Sequence, residues 1–156
     1  MLLRIVRNLT SEEVEEKIRG FEKRFEISFA KFEELFLKQK LNAKFAKAYF
    51  EWAELVDCYK GYMEDGELDY TIEEVKNYRP EQTALLTPKR IELLYQLAPL
   101  RVESINDLAK KVRRNVKNVY QDLKILKKLG FIKLNKRKGR ALVPEAVVKE
   151  ITFLIH

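Results

Sequence analysis

The sequence predicts a mainly α-helical fold with one small β-hairpin near the end of the chain. Apolar residues recur at three- and four-residue intervals through most of the 156 residues, which is typical of helices that pack on a core. Residues 131–134 and 141–143 are instead rich in strand-forming residues and flank a polar turn. With 46% hydrophobic and 35% charged residues, the composition is that of a folded chain.

Charge divides the chain into two parts. Residues 1–82 hold 14 Lys and Arg against 18 Asp and Glu, a net charge of −4, whereas residues 83–156 hold 17 against 6, a net charge of +11. Pro80 disfavours a helical residue before it and marks the boundary. We therefore predict an N-terminal helical module over residues 1–80 and a basic domain over residues 81–156 that suits a polyanionic partner.

The N-terminal module begins with a candidate strand at residues 2–6 and continues with three capped helices. Thr10 and Glu13 form a capping box, and Ser28 and Asn42 are placed to cap the next two helices. A glycine at position 61 or 66 would end the third helix. The inward faces are rich in aromatic rings and are expected to comprise Val14, Ile18, Phe21, Phe25, Phe29, Phe32, Leu35, Phe36, Phe45, Ala48, Tyr49, Trp52, Leu55, Val56 and Tyr59.

So many rings in three short helices allow three interpretations, which are not mutually exclusive. The rings can form the module's own core, a homodimer interface or a docking surface for another protein. The expected anchors of such an interface are Phe45, Tyr49, Trp52 and Tyr59.

The segment between the two parts begins with an acidic loop. Residues 64–69 lack the ligand spacing of a calcium loop and are predicted to form a solvated turn. Beyond the loop we expect a strand over residues 68–71 and a short helix that Thr71 caps and that runs to Asn77.

The basic domain begins with a helix that Thr87 caps and Pro88 opens. The side chains of this helix that are expected to face the core are Ile91, Leu94, Tyr95 and Ala98.

Residues 104–129 carry the pattern on which the functional interpretation depends. Ser104 and Asn115 are placed to cap two helices, and Arg113-Arg114-Asn115 separates them. Gly130 should end the second helix, and the two short strands after it enclose a basic turn at residues 135–140. This order is typical of a winged helix-turn-helix, in which the second helix enters the DNA major groove and the hairpin is the wing. The apolar positions of the two helices are Ile105, Leu108, Ala109 and Val112, then Val119, Leu123, Leu126 and Leu129.

The polar side of the second helix suggests individual contacts with double-stranded DNA. Amide side chains can pair with adenine and lysine with guanine, so base reading is expected from Lys117, Asn118 and Gln121. Contacts with the sugar-phosphate backbone are expected from Arg113, Arg114, Asn115, Tyr120, Lys124 and Lys128, and contacts from the wing are expected from Lys136, Arg137, Lys138 and Arg140.

Several motifs between about residues 68 and 156 resemble the archaeal and bacterial winged-helix transcriptional regulators related to the MarR group. The most specific motif is Lys117-Asn118-Val119-Tyr120-Gln121-Asp122-Leu123. The family pattern has a glycine near position 113, where this chain has Arg113. The other motifs are Leu86-Thr87-Pro88-Lys89-Arg90-Ile91-Glu92-Leu93-Leu94, Ser104-Ile105-Asn106-Asp107-Leu108-Ala109, Leu129-Gly130-Phe131 and Val143-Pro144.

The leading interpretation is a sequence-specific transcriptional regulator that acts as a homodimer, with residues 1–82 contributing most of the dimer interface. Residues 14–59 resemble small archaeal helical proteins of unknown role, and some winged-helix proteins with such appendages are antitoxins. The alternative is therefore an antitoxin-like or adaptor protein whose N-terminal half binds another protein and whose DNA binding serves autoregulation. RNA is a weaker candidate for the basic surface, because the A-form major groove does not admit a helix.

The sequence lacks the residue patterns that are typical of enzymes and of metal-binding proteins. The sequence contains one His and the single Cys58, and no spacing suggests a catalytic pair, a metal site or a phosphate-binding loop. We therefore expect neither an enzyme nor a cofactor. No apolar run has the length of a bilayer span and residues 1–6 do not form a signal peptide, so a cytoplasmic protein is expected.

The last stretch, residues 147–155, alternates in the manner of an extended segment but is apolar on both sides. We expect it to be covered by the N-terminal module or by a second subunit.

Overall fold

The computed structural model describes residues 1–136, 139 and 141–155 of a helix-rich chain with small sheets. The chain forms two compact units. The first, here called the aromatic unit, is Asn8–Ile72; the second, the basic unit, joins Met1–Arg7 to the residues from Glu73 onward. The division differs from the boundary predicted at residue 80, because the first strand pairs with the last strand of the chain.

The aromatic unit contains the three predicted helices, α1 (Ser11–Phe25), α2 (Phe29–Leu37) and α3 (Ala46–Asp65). The capping box of α1 is present, with the Thr10 hydroxyl accepting from the Glu13 backbone N–H at 3.2 Å. Ser28 caps α2 as expected, but Asn42 caps a short 3-10 turn, Ala43–Phe45, that precedes α3. Gly66 ends α3 in the left-handed region at φ 74°.

The rings of this unit pack on one another around Trp52, which is 0% exposed. The Trp52 ring lies 5.2–5.5 Å, centroid to centroid, from the rings of Phe21, Phe29 and Phe32. The prediction that Trp52 anchors an interface is therefore wrong, since its ring has no surface to offer a partner.

The other three predicted anchors are half-buried. The Tyr49 hydroxyl donates to Glu33 of α2 at 2.8 Å, and the Tyr59 hydroxyl donates to Glu15 of α1. These hydrogen bonds tie α3 to its neighbours, and because they hold the proton on the phenol they raise the pKa of both tyrosines. A place for Phe45, Tyr49 and Tyr59 in an interface stays a prediction.

Residues 71–77 form a strand, β2 (Thr71–Asn77), and the predicted helix at this place is wrong. The strand expected over residues 68–71 begins only at Thr71. Seven residues are too few for a stable isolated helix, so pairing with a neighbouring strand overrides the local capping signal. The Glu74 side chain, which the capping box would have used, instead accepts from Arg7 Nε at 3.1 Å.

The larger sheet has the strand order β2-β1-β5, where β1 is Leu2–Asn8 and β5 is Val148–Leu154. β1 and β5 run antiparallel, with Leu3 opposite Phe153 and Ile5 opposite Ile151. The predicted strand at residues 2–6 and the predicted extended segment at residues 147–155 are both confirmed. The two strands are neighbours in one sheet and pair along one edge of each.

The rest of the basic unit comprises four helices and a hairpin around one core. Their bounds are α4 (Pro80–Thr83), α5 (Pro88–Leu97), α6 (Ile105–Lys111), α7 (Val116–Lys128), β3 (Ile132–Lys136) and β4 (Leu142–Ala146). The core residues they bury include Leu93, Leu97, Leu108, Val119, Leu123, Leu126 and Phe131, together with Leu3 and Ile5 of β1.

The inward face of α5 was predicted only in part. Leu94 is buried as predicted, together with Leu93 and Leu97, whereas Tyr95 is 77% and Ile91 40% exposed and Ala98 is exposed as well. The four-residue spacing of Ile91 and Tyr95 is typical of an inward helix face, but the neighbouring leucines pack in the core instead.

The hairpin pairs β3 and β4 in an antiparallel register that runs from Ile132 opposite Ala146 to Lys136 opposite Leu142. The second strand was predicted to end at residue 143, before Pro144, but Pro144 lies inside β4 opposite Leu134, so the predicted end is wrong. Both strands of a two-stranded sheet are edge strands, and such strands tolerate a residue without an N–H.

Candidate nucleic-acid interface

The turn between α6 and α7 fixes the start of α7. Arg113 adopts φ 56° in the left-handed region, near which a glycine was expected. The Asn115 side-chain oxygen accepts from the backbone N–H groups of Lys117 at 2.9 Å and Asn118 at 3.4 Å. This cap occupies the Asn115 oxygen, which leaves only its amide N–H groups for the predicted backbone contact.

Helix α7 has one buried and one exposed side. Val119, Leu123 and Leu126 are fully buried, as predicted. The structure brings the other predicted side chains of this helix together on the exposed side. This surface, here called the polar face of α7, consists of Lys117, Asn118, Gln121, Lys124 and Lys128.

Tyr120 lies beside the polar face and is 40% exposed. The Lys124 ammonium lies 5.4 Å from the centroid of its ring, a cation–π distance. The Tyr120 ring therefore stabilises the Lys124 ammonium. The hydroxyl of Tyr120 belongs to an exposed residue, so the predicted contact with the DNA backbone stays a prediction.

A buried carboxylate holds α7 in place. Asp122 is 9% exposed and accepts from Arg90 Nε of α5 at 3.0 Å and from Arg114 Nη2 of the turn at 2.6 Å. Arg90 also donates to the Leu85 carbonyl at 2.9 Å. This cluster was not predicted from the sequence, which had suggested a phosphate contact for Arg114. In the structure Arg114 pairs with Asp122 inside the chain, and a phosphate contact from Arg114 stays a prediction.

A groove of about 460 Å³ lies between the start of α5 and the polar face of α7. Lys89 is exposed there, beside Asn118 and Gln121. Lys89, the second residue after the Thr87 cap, was not among the side chains predicted to contact DNA. The residues that line the groove are Thr87, Pro88, Lys89, Arg90, Arg114, Asn118, Gln121 and Asp122.

The predicted wing is described only in part. Lys136 is the last residue of β3 and is exposed. Arg137, Lys138 and Arg140 lie outside the described residues.

Two features are absent from the described part of the chain. None of its His, Cys, Asp and Glu side chains form a group of three or more that could hold a metal ion. None of its helices combines the length and the apolar character that crossing a bilayer requires.

The fold of residues 85–153 belongs to the class of helix-rich domains with a small antiparallel hairpin. The same residues match a family model described as HVO_A0114. The match covers fewer than half of the 156 residues, so the chain is similar to this family over its basic part. Neither the curated proteins nor the solved structures contain a match to the chain.

Proposed function

We propose that the chain is a sequence-specific, double-stranded DNA-binding transcriptional regulator that acts as a homodimer. In this proposal, α6 and α7 are a helix-turn-helix, α7 is the recognition helix and the β3–β4 hairpin is the wing. The observation that carries the proposal is the polar face of α7, on which amide and lysine side chains are exposed while the opposite side is anchored in the core.

The first two turns of α7 supply the base-reading groups. Asn118 and Gln121 each offer one donor and one acceptor, which match the N6 and N7 edge of adenine, and Lys117 matches guanine. All three side chains are exposed, and all three lie in the first two turns after the Asn115 cap, where a recognition helix contacts base edges.

Cations around the polar face supply the phosphate contacts. Arg113 is exposed at one end of the face, and Lys124 and Lys128 continue along it. Lys89, across the groove, adds a contact that was not expected from the sequence. Such contacts position the protein on the duplex without reading its sequence.

Binding-site selection on random duplexes tests the proposal. The full chain should enrich one sequence whose two halves are related by a two-fold axis and lie about 10 base pairs, or a multiple of 10, apart. Variant Asn118→Ala should lose that enrichment, whereas Asn77→Ala, which changes the same residue type on the exposed end of β2, away from the helix-turn-helix and the wing, should keep it. Absence of any enriched sequence for the natural chain would contradict sequence-specific binding.

A second candidate function is an antitoxin-like or adaptor role for the aromatic unit. Large apolar side chains of α2 and α3 are exposed there, with Leu37 at 66%, Phe50 at 63% and Met63 at 67%. Such residues suit a protein partner. The mass of the complex purified from its native cells separates the two functions, since a regulator gives a homodimer and an adaptor gives a stoichiometric complex with a second protein.

A further inference from the structure

Strand β5 leaves one of its two edges open. In the sheet order β2-β1-β5 it is a terminal strand, and among the described residues no strand lies along its outer edge. The first half of β5 carries the charged residues Lys149 and Glu150, but from Ile151 to Leu154 the strand has no charged residue and no proline. Natural proteins use charges and prolines to keep such edges from pairing, so an unguarded edge is a template for another strand.

Apolar side chains extend from the core side of β5 to the exposed side of α5. Ile151 and Phe153 stand opposite Ile5 and Leu3, which are buried, so the first two share the core side of the sheet. Phe153 is nevertheless 50% exposed. A groove of about 260 Å³ runs from Val148 and Ile151 to Leu94, Tyr95 and Ala98 of α5.

We propose that a second copy of this chain occupies this edge, with the two β5 strands pairing antiparallel about a two-fold axis at Thr152. The axis places Ile151 of each copy opposite Phe153 of the other, on the core side of the sheet. Thr152 then faces its own symmetry mate on the other side. The aromatic–β-branched pair is favourable across antiparallel strands. The Thr152 hydroxyl donates to Glu150 of its own strand at 2.9 Å and can still accept, so the small Thr152 side chains fit opposite one another and the strand is complementary to itself in this register.

The area available fits a dimer. Tyr95, Phe153, Ile91 and Ile155 are 77%, 50%, 40% and 92% exposed, which for side chains of this size is on the order of 500 Å² per copy. A standard interface buries roughly 800 Å² per partner, so the apolar side chains supply most of that area and the backbone and remaining side chains of the paired strands must supply the rest. Tyr95 of one copy would lie beside the incoming strand of the other and close the groove.

This inference deepens the proposed function, because it rests on the proposed homodimer and assigns the interface to the basic unit. The same unit then carries both the dimer contact and the polar face of α7. The tests below use no DNA, so a failed interface leaves the DNA-binding proposal standing and a failed DNA-binding experiment leaves the interface standing.

Disulfide formation tests the register. Opposed residues of antiparallel strands have Cα atoms about 4.5–5.5 Å apart, within disulfide reach. The full chain with Thr152→Cys, in a background in which the natural Cys58 is alanine, should form a covalent dimer under mild oxidation. The matched control is Thr71→Cys in the same background, because Thr71 is exposed on β2, at the opposite edge of the same sheet; it should stay monomeric on a non-reducing gel.

Sedimentation of full-length variants tests the side chains. The natural chain should sediment as a dimer at micromolar concentration, and Tyr95→Lys and Phe153→Lys should each weaken dimerisation at least tenfold. Phe50→Lys is the control, since Phe50 is 63% exposed on α3 of the aromatic unit. A monomeric natural chain, or a dimer that survives both substitutions, would overturn the proposal, and a monomer produced by Phe50→Lys would move the interface to the aromatic unit. Circular dichroism of each variant confirms that it is folded.

Discussion

Arg113 combines a backbone conformation that suits glycine with a charge that suits a phosphate. At φ 56° an L-residue brings its Cβ close to the following carbonyl oxygen. The side chain is exposed beside the start of α7. We infer that local stability and ligand contact oppose one another at this residue.

Arg113→Gly should therefore stabilise the fold while it weakens DNA binding. Relief of the left-handed strain, less the extra entropy of an unfolded glycine, should raise the free energy of unfolding by about 0.5–1 kcal/mol. Loss of the cation should make the salt dependence of binding about one unit shallower. Urea unfolding and a salt titration measure the two effects. Arg113→Lys is the control for charge and should leave the salt dependence unchanged; a glycine variant that binds DNA like the natural chain would remove Arg113 from the interface.

Asp122 joins α7 to α5 and to the turn before α7. The side chains of Arg90 and Arg114 are only 19% and 23% exposed, so without the carboxylate both charges stay partly buried. Asp122→Asn should lower the free energy of unfolding by about 2–3 kcal/mol, because removing one partner of a buried ion pair leaves the other uncompensated.

Glu145→Gln is the matched control for Asp122→Asn. Glu145 is paired with Lys133 at 3.6 Å on the exposed surface, so its loss should change stability by no more than about 0.5 kcal/mol. If the two substitutions lower the free energy of unfolding equally, the Asp122 cluster contributes no more to stability than an exposed ion pair.

Gln121 and Lys124 are one turn apart on the polar face of α7 but have different expected roles. Gln121→Ala should cost roughly 1–3 kcal/mol on the selected site and relax the preference at one base pair. Lys124→Ala should weaken binding to all duplexes about equally and lower the salt slope by about one unit. Affinities for selected and random duplexes separate the two effects. Unchanged binding of both duplexes by Gln121→Ala would mean that α7 is not the recognition helix.

At the scale of single elements, the aromatic rings of α1, α2 and α3 form a core around Trp52. Trp52→Ala should lower the free energy of unfolding of the aromatic unit by about 3–5 kcal/mol, the usual cost of truncating a large buried ring. Phe50→Ala, which removes a ring that is 63% exposed, should cost far less. Urea unfolding followed by circular dichroism measures both. A Trp52→Ala chain that unfolds like the natural one but no longer dimerises would restore Trp52 as an interface anchor.

The elements that the sequence predicted well are those whose signals are local. Thr10, Ser28 and Thr87 cap helices because a side-chain oxygen and a backbone N–H a few residues away suffice. The inward face of α7 was also predicted, because Val119, Leu123 and Leu126 are the main apolar residues of a basic helix.

The features that were missed depend on distant residues. The segment from Thr71 to Asn77 carries a helix-capping sequence but becomes a strand, because a neighbouring strand is available at the start of the chain. The pairing of Asp122 with Arg90 joins residues 32 positions apart, which no periodicity reveals. The groove beside Lys89 depends on that same pairing, so it could not be predicted either.

At the scale of the whole molecule, the distribution of charge separates the two units. The acidic first half cancels part of the charge of the basic half, yet the cations that surround the polar face of α7 all belong to the basic unit. A homodimer joined through β5 would carry two such faces, which is the arrangement that a two-fold DNA site requires.

The measurement that tests the central claim most directly is the affinity of the full chain for its selected duplex as a function of salt concentration. Each cation that meets a phosphate releases counterions, so a dimer with several contacts per copy should give a log–log slope of about −6 to −10. The selected duplex should also bind more tightly than a random one at every salt concentration. A slope near zero between low and physiological salt would contradict the account, since it would remove nucleic acid as the ligand of the polar face of α7.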